Sequence, residues 1–502
     1  MTDSLPPQPG VLAAIDMGSN SFRLELAQVS PGRYKRIDYL KETVRLGAGL
    51  DENGLLTEDA MQRGLACLQR FAKRLAGIPA ERIRAVATQT LREARNRDAF
   101  LVRAHAALGQ PIEVISGREE ARLIFAGVAR LQPSDDWRLV IDIGGRSTEM
   151  ILGQGRAPLR AESFQVGSVS LSMRYFGDGR FTESAFRAAQ VAAGAELEEA
   201  LVPFASRHWK EALGSSGTAG AVSQLLEANG ITDGVITPYG LRWCMEQCLR
   251  AGRVDKLNLP GMKEDRRAVI GGGLSILYTL ATHFDIAELQ PARGALRQGV
   301  IYDLDERLGA TAGPTLGHDV RDVSVAELQR RFEVDVPQAR RVADVALALH
   351  AAVAPSADPA LARELGWAAA LHELGMVVSH HDHHRHSAYL LGHVDAAGFS
   401  QSQQRRLADL VLAQRGGLRK VETQLGQESF AWQALCLRLA IILCHARVGV
   451  ELEALHLQRH GTQAEVAVKP EWAAAHPRTL FLLHEEAAVW ERSGAIRLQI
   501  RA

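Results

Sequence analysis

The chain has 502 residues, of which 46% are apolar and 23% charged, and its 58 Lys plus Arg balance 58 Asp plus Glu. That length is too great for one hydrophobic core and suits three or four domains. A balanced charge and an ordinary globular composition give no global signal for nucleic acid or membrane, so any polyanion site must be a local patch. Five cysteines without a CxxC pair fit buried, reduced thiols and exclude a disulfide framework or a cysteine zinc site.

In chain order, the opening "MTDSLPPQPG" is polar and proline-rich, lacks a signal-peptide pattern and reads as a loose tail. Residues 11–15 and 22–29 are β-type runs joined by the glycine turn "DMGSNS". Thr57 can cap a helix that places Met61, Leu65, Leu68, Ala72 and Leu75 on one face. Strand-like Arg82–Thr88, helical Asn96–Leu108, strand-like Pro111–Ser116 and helical Gly117–Leu131 follow, an alternation that argues for an α/β domain. The pattern then restarts with a second strand-turn-strand, Arg138–Gly153, and a long helix around Glu183–Leu201. Next come a strand breaking into a Ser/Gly loop and helix (Glu211–Leu226) and a helix opened by Pro238. The segment Arg266–Phe284 reads as a helix interrupted at Gly271–Gly273. Leu308–Gly317 has the composition of a linker; residues from about 324 to 460 carry helical spacing, and a short Trp- and β-containing tail ends the chain. No apolar run reaches the ~18 residues of a membrane span.

The two turns "AIDMGSN" and "VIDIGGRS" share one pattern, apolar-Ile-Asp-x-Gly, with aspartates 126 residues apart, at 16 and 142. Small residues in such a turn let backbone N–H groups converge on phosphate oxygens. Ser19, Asn20 and Ser21 add donors in the first turn, and Ser147 and Thr148 in the second. Asp16 and Asp142 cannot bind phosphate themselves and suit Mg²⁺ or its waters. One such turn alone is most simply a hairpin; two in equivalent strand contexts predict a two-jawed phosphate clamp. In "LGSSGTAG", Ser216, Gly217 and Thr218 would present N–H groups at a helix N-terminus, a further anion site. Hydrolysis needs a base, and Glu119 and Glu120 in "SGREEAR" are the candidates, although paired glutamates at a helix start also serve as dipole partners.

The blocks "AIDMGSNSFRLELA", "ATQTLREARN", "EVISGREEARLIFAGV", "LVIDIGGRSTEM", "LGSSGTAGAV" and "GALRQGVIYD" together resemble the exopolyphosphatase / guanosine-pentaphosphate phosphohydrolase family, most closely its long four-domain exopolyphosphatases. The resemblance spans about residues 11 to 308 and implies the actin, sugar-kinase and heat-shock-chaperone superfamily. The expected fold is α/β: two duplicated ribonuclease-H-like (actin-like ATPase) domains at 1–125 and 126–310, an all-α HD-like domain at 311–445, and a small α+β domain at 446–502. The implied activity is processive release of orthophosphate from the end of inorganic polyphosphate, with conversion of guanosine pentaphosphate to tetraphosphate as the alternative. Carried over by residue, Glu120 is the general base, Asp142 shares the catalytic site beside the water, and Arg92 is the catalytic-site arginine expected to reach phosphate. Gly18, Ser19, Asn20 and Ser21, with Gly144, Gly145, Arg146, Ser147 and Thr148, form the two phosphate loops. Asp16, Asp142 and Glu149 lie near Mg²⁺; other divalent cations and K⁺ are left open. The resemblance further implies a cytoplasmic homodimer, with peripheral membrane association left open and no nucleic-acid partner. The family turn reads Asp-x-Gly-Gly-Gly-Ser, whereas Arg146 takes the third small position here. A guanidinium there either adds a phosphate contact or restricts approach, since glycine's missing Cβ is what lets the backbone close in.

In the C-terminal half, His380, His381, His383, His384 and His386 cluster after His372-Glu373, with His350 one helix earlier. This layout resembles the HD metal-phosphohydrolase fold in degenerate form: Glu373 replaces Asp, and Cys444 and His445 stand where a later Asp is expected. The His cluster with Arg385, Arg405, Arg406, Arg415, Arg419 and Lys420 is read as a basic lane for long polyphosphate. A kinase would need an acceptor site and an adenine pocket, which "SGREEAR" does not supply. A polyphosphate- or nucleotide-binding sensor, disabled by Arg146, is the non-enzymatic rival.

Overall fold

The structure is a computed structural model that describes residues 10–312 and 319–502. The expected loose tail, apart from Gly10, and the end of the expected linker lie outside the described residues. The chain divides into two compact units, Met1–His318 and Asp319–Ala502.

The first unit contains two copies of one sheet. In the first copy, β1 (Val11–Met17), β2 (Ser21–Ser30) and β3 (Arg33–Thr43) form an antiparallel meander, and β4 (Ile83–Ala87) and β5 (Ile112–Val114) extend it in parallel, in the order β3-β2-β1-β4-β5. The second copy repeats this with β6 (Trp137–Ile143), β7 (Thr148–Gln154), β8 (Ala157–Phe164), β9 (Glu211–Ser215) and β10 (Gln290–Pro291), in the order β10-β9-β6-β7-β8. Even the register shift recurs, at Leu26/Ala27 in one and at Leu152/Gly153 in the other. The helices are α1 (Glu58–Arg74), α2 (Gln89–Glu93), α3 (Arg97–Leu108), α4 (Gly117–Leu131), α5 (Ser168–Tyr175), α6 (Glu183–Leu197), α7 (Ser216–Ala228), α8 (Pro238–Ala251), α9 (Glu264–Arg267), α10 (Ile270–His283) and α11 (Leu296–Ala312). This is the actin-like duplicated α/β fold.

β1 is buried along its whole length and β6 at all but its first residue, because both faces of each sheet are covered. The outer faces pack on their own helices: Met17 and Phe22 on Leu68 and Phe71 in one lobe, Ile141 and Met150 on Phe176 and Leu274 in the other. The inner faces share one core, in which Leu12, Val86, Val140 and Leu213 meet Leu123 and Phe125 of α4 and Val300 and Ile301 of α11. The lobes exchange cover: α4 lies on β6–β8 and α11 on β1 and β2. The division at 125/126 therefore falls inside α4. The two crossing helices touch backbone to backbone, and a Cβ on Gly299 would overlap the Leu123 carbonyl. Gly299→Val is expected to cost about 3 kcal/mol in chemical denaturation, as overpacking against rigid backbone does.

Three expectations are corrected. The glycines Gly271–Gly273 do not interrupt a helix; they lie inside α10, where Gly272 packs against Ser168 and Ser172 of α5, and the break falls earlier, between α9 and α10. The Ser/Gly loop after β9 is absent, because α7 begins directly at Ser216, whose φ is +70°. Residues 308–312 of the expected linker continue α11. The edge strands β3 and β8 escaped the sequence reading because neither carries a buried apolar run: β3 is rich in charged residues and β8 is buried only at Phe164.

The second unit packs α12 (Val320–Arg331), α13 (Val336–Val353), α14 (Pro359–Ala370), α15 (His383–His393), α16 (Gln401–Ala413), α17 (Glu422–Leu425) and α18 (Glu428–Leu443). A sheet of β11 (Leu455–His460), β12 (Gln463–Val468) and β13 (Arg497–Arg501), with α19 (Pro470–Ala475) and α20 (Pro477–Ser493), completes it. One core holds both parts, running from Val342 and Leu435 to Val466 and Trp490. Buried Arg438 of α18 donates to Glu486 of α20 at 2.7 Å. No helix among the described residues is long and apolar enough to cross a membrane.

Candidate active site

The two hairpins that join β1 to β2 and β6 to β7 face each other across a cleft in the first unit. Their geometry matches. A Cβ on Gly18 would lie 3.2 Å from the Ser21 carbonyl, and one on Gly144 would lie 3.0 Å from that of Ser147. They also nearly touch: a Cβ on Gly145 would sit 3.1 Å from Ser19 Cβ and 3.7 Å from the Asn20 nitrogen. Gly145 thus lets the second hairpin close on the first. Gly18, Ser19, Asn20, Ser21, Gly144, Gly145, Ser147, Ser216, Gly217 and Thr218 all line the cleft. Ser21 Oγ is buried without a hydrogen-bond partner, a polar group left for something the cleft holds.

Not every expected donor is free. Thr148 Oγ1 donates to the Val166 carbonyl at 2.6 Å, and Ser216 Oγ and Thr218 Oγ1 both donate to the Ile143 carbonyl, at 3.0 and 2.9 Å. These hydroxyls brace the second hairpin, and α7 faces the cleft with its first backbone N–H groups instead. Arg146 turns out of the cleft altogether, because its Nε and Nη2 donate to Glu93 at 2.9 and 2.6 Å.

Glu120 stands in the first turn of α4, which Ser116 caps by accepting from the Glu119 N–H at 3.1 Å. Arg92 Nη1 donates to Glu120 at 2.8 Å and to the Ile115 carbonyl at 3.0 Å. Burial pushes the Glu120 carboxyl up to about 7; Arg92 opposes this, while Asp142 and Asp16 add to it. Asp142 is raised by burial and by Asp16, and held back by hydrogen bonds from Ser215 and Ser216 and by Arg23. Glu149 is raised well above the usual range by burial and by the charges of Glu120 and Asp142. Its partners are Ser163, which donates at 2.8 Å, and Ser147.

The duplication breaks at one informative place. Asp16 sits opposite Arg23 in the β1–β2 register, whereas the equivalent Asp142 sits opposite Glu149 in β6–β7. Asp16 is already paired, with Arg23 at 3.2 Å and Arg297 at 3.5 Å. The second lobe therefore sets two carboxylates side by side where the first sets an ion pair. Mg²⁺ takes one or two carboxylates and completes its shell with water and phosphate oxygens. Asp142 and Glu149 fit that donor set; Asp16 fits it less well because two guanidinium groups neutralise it. Among the described residues no group of three or more His, Cys, Asp or Glu could cage an ion by itself.

The cleft also holds residues that motif reading missed: Arg23, Thr88, Ser168, Arg266 and Arg297. Arg23 and Arg297 fall within quoted sequence blocks, but only strand register and the packing of α11 aim them at Asp16. Arg266 lies on the four-residue α9 and rests on Gly217, where any Cβ would displace it. No sequence signal marked it.

In the second unit, His372 is buried and its Nδ1 lies 2.7 Å from the Ala369 carbonyl. Arg447 donates to Glu373 at 2.6 Å and to Asp335 at 2.7 Å. A guanidinium thus neutralises the carboxylate that would face a cation in an HD-type centre. His383 and His384 are pushed down to about 4, chiefly by burial. The expected basic lane is partly spent inside the fold, because Arg406 pairs with Glu364 at 2.6 Å and Gln433 at 2.7 Å. Lys420 donates to the Arg415 carbonyl, and burial lowers it to about 8.

Two sheets of one topology, with matching glycine hairpins, a helix start and a buried glutamate around one cleft, make a two-lobed protein of the actin-like fold. The chain belongs to the Ppx/GppA phosphatase family, whose members hydrolyse phosphoric anhydrides: residues 26–308 match the family profile, and residues 320–487 match that of Ppx/GppA phosphatase, domain III. It is 35% identical over 485 residues, 96% of each chain, to a guanosine-5'-triphosphate,3'-diphosphate pyrophosphatase of Photobacterium profundum. A protein of the same name from Pseudoalteromonas atlantica is 37% identical over 93% of this chain and 92% of its own. Among solved structures, an exopolyphosphatase from Cytophaga hutchinsonii superposes with a TM-score of 0.54 at 25% identity, covering 59% of this chain and 98% of its own.

Proposed function

We propose that the chain removes the terminal phosphate of a linear polyphosphate by attack of water that Glu120 deprotonates. The single observation that carries this is the placement of Glu120 in the cleft between the facing hairpins, with its carboxyl brought to about 7. A general base works best when its pKa lies near the working pH. Phosphoryl transfer asks mainly for positioning and charge neutralisation. The hairpin N–H groups and Ser21 hold the terminal phosphate, the start of α7 and Arg266 take the following ones, and Arg92 orients the base. Mg²⁺ at Asp142 and Glu149 would neutralise charge on the phosphate oxygens.

Guanosine pentaphosphate is the second reading, favoured by the names of the two near-full-length relatives. Side-by-side kcat/KM on long polyphosphate and guanosine pentaphosphate decides between them. Tight binding of either without phosphate release would instead identify a sensor.

The base must be ionised to accept a proton, and its folded pKa is raised. Activity should therefore be full above the limb and fall as pH drops through about 7. A kcat/KM profile that stays flat down to pH 5 would remove Glu120 from the role.

A further inference from the structure

The segment α2 touches each working part of the cleft. Thr90 Oγ1 donates to Ser19 Oγ of the first hairpin at 2.8 Å. Arg92 donates to Glu120 at 2.8 Å. Glu93 accepts both contacts from Arg146 of the second hairpin. Inside α2, Gln89 joins them: its Nε2 donates to Glu93 at 2.5 Å, and its Oε1 accepts from Arg92 Nε and Nη2 at 2.9 and 2.6 Å. The result is one unbroken chain of polar contacts, Arg146–Glu93–Gln89–Arg92–Glu120. Arg146 Nη1 also donates to the Gly47 carbonyl at 3.3 Å, and the Gly47 N–H donates to the Ser19 carbonyl at 2.8 Å.

A five-residue helix does not hold its own shape, since nucleation alone is unfavourable. The orientation of α2 must be imposed by what it binds. Arg146 binds it bidentately through one carboxylate oxygen, with side chains 22% and 26% exposed, so the pair is only partly screened. Arg146 does not line the cleft, and both of its partners lie in the first lobe. We propose that Arg146 is a positioning residue that latches the second phosphate hairpin to α2 and, through Gln89, holds Arg92 on the base. This rests on Glu120 being that base. Without Arg146, Glu93 keeps its charge but loses its cation, and the guanidinium of Arg92 is already tied to it through the same glutamine. Arg92 is then drawn from Glu120, which loses the cation that opposes burial and the charges of Asp142 and Asp16.

The test compares wild type, R146A, R146K, E93Q and the double variant R146A/E93Q in phosphate release from polyphosphate and guanosine pentaphosphate across pH, together with thermal midpoints. R146A and E93Q should each lower kcat at pH 7 about tenfold while KM moves less than about threefold, the size of effect expected of a displaced catalytic group. R146A should raise the acid limb by about half a unit, the direction that loss of a cation dictates, whereas E93Q, which removes an anion, should not raise it. The double variant should be no worse than either single one, and R146K should recover part of the loss. A rise in KM at unchanged kcat would make Arg146 a phosphate ligand and overturn the latch, as would additive losses or wild-type behaviour throughout. If the wild type releases no phosphate from either substrate, the hydrolase reading fails instead. The latch is then judged by thermal midpoints: non-additive shifts in the double variant sustain it, and additive ones refute it.

Discussion

Glu120→Gln is expected to lower kcat by about 10²–10⁴-fold on either substrate, the range a general base supplies, while leaving KM within about threefold. The amide keeps the size of the side chain and can still contact Arg92, so the hairpins and α4 should stay in place. What it cannot do is take a proton from water. The substitution also removes one of the three carboxylates that line the cleft, which lowers the repulsion it exchanges with Asp142 and Glu149. Binding of the polyanion should therefore hold or improve, and the variant should retain the thermal midpoint of the wild type or exceed it. Loss of binding along with turnover would mean that Glu120 supports the architecture rather than the reaction. Steady-state rates and a binding isotherm on the same preparation separate the two.

Gly145→Val should abolish most turnover, by about 10²-fold or more, for a geometric reason. A Cβ at this position already lies 3.1 Å from Ser19 Cβ and 3.2 Å from Val169 Cγ2. Two further methyl groups can be placed only by pushing the hairpins apart, and a displacement near 1 Å is enough for a loss of that order. The wedge acts on the spacing between jaws and leaves every charged group intact. KM and kcat should therefore both worsen, with the acid limb still near pH 7. Gly145→Ala should fall between, since its Cβ meets Ser19 Cβ and Val169 Cγ2 without the two further methyl groups. Near-normal rates for Gly145→Val would show that the jaws need not close.

Much of this site was legible in the sequence because the chemistry is written in turns. Asp16, Gly18, Asp142 and Gly144 recur at fixed spacing, and Ser116 followed by "GREEAR" marks the start of α4. What escaped was whatever depends on direction or on distant packing. Arg23 and Glu149 occupy equivalent register positions, yet only the pairing with Asp16 and Asp142 shows that one lobe is neutralised and the other acidic. The hydroxyls of Thr148, Ser216 and Thr218 are of the right type but are drawn away by nearby carbonyls. Arg146 read as either a phosphate ligand or an obstruction; in the structure Glu93 holds its guanidinium away from the residues that line the cleft. The exchange of α4 and α11 between lobes rests on glycines whose close contacts lie far away in sequence, such as Gly299 against Leu123.

The most direct test of the whole account is a crystal structure of the Glu120→Gln variant with Mg²⁺ and guanosine pentaphosphate or a short polyphosphate. The terminal phosphate should lie between residues 18–21 and 144–147, with a water in line with the scissile bond and within hydrogen-bond reach of the residue 120 side chain. Phosphates seated elsewhere in the first unit, or a terminal phosphate whose attacking water lies on the side away from residue 120, would contradict it.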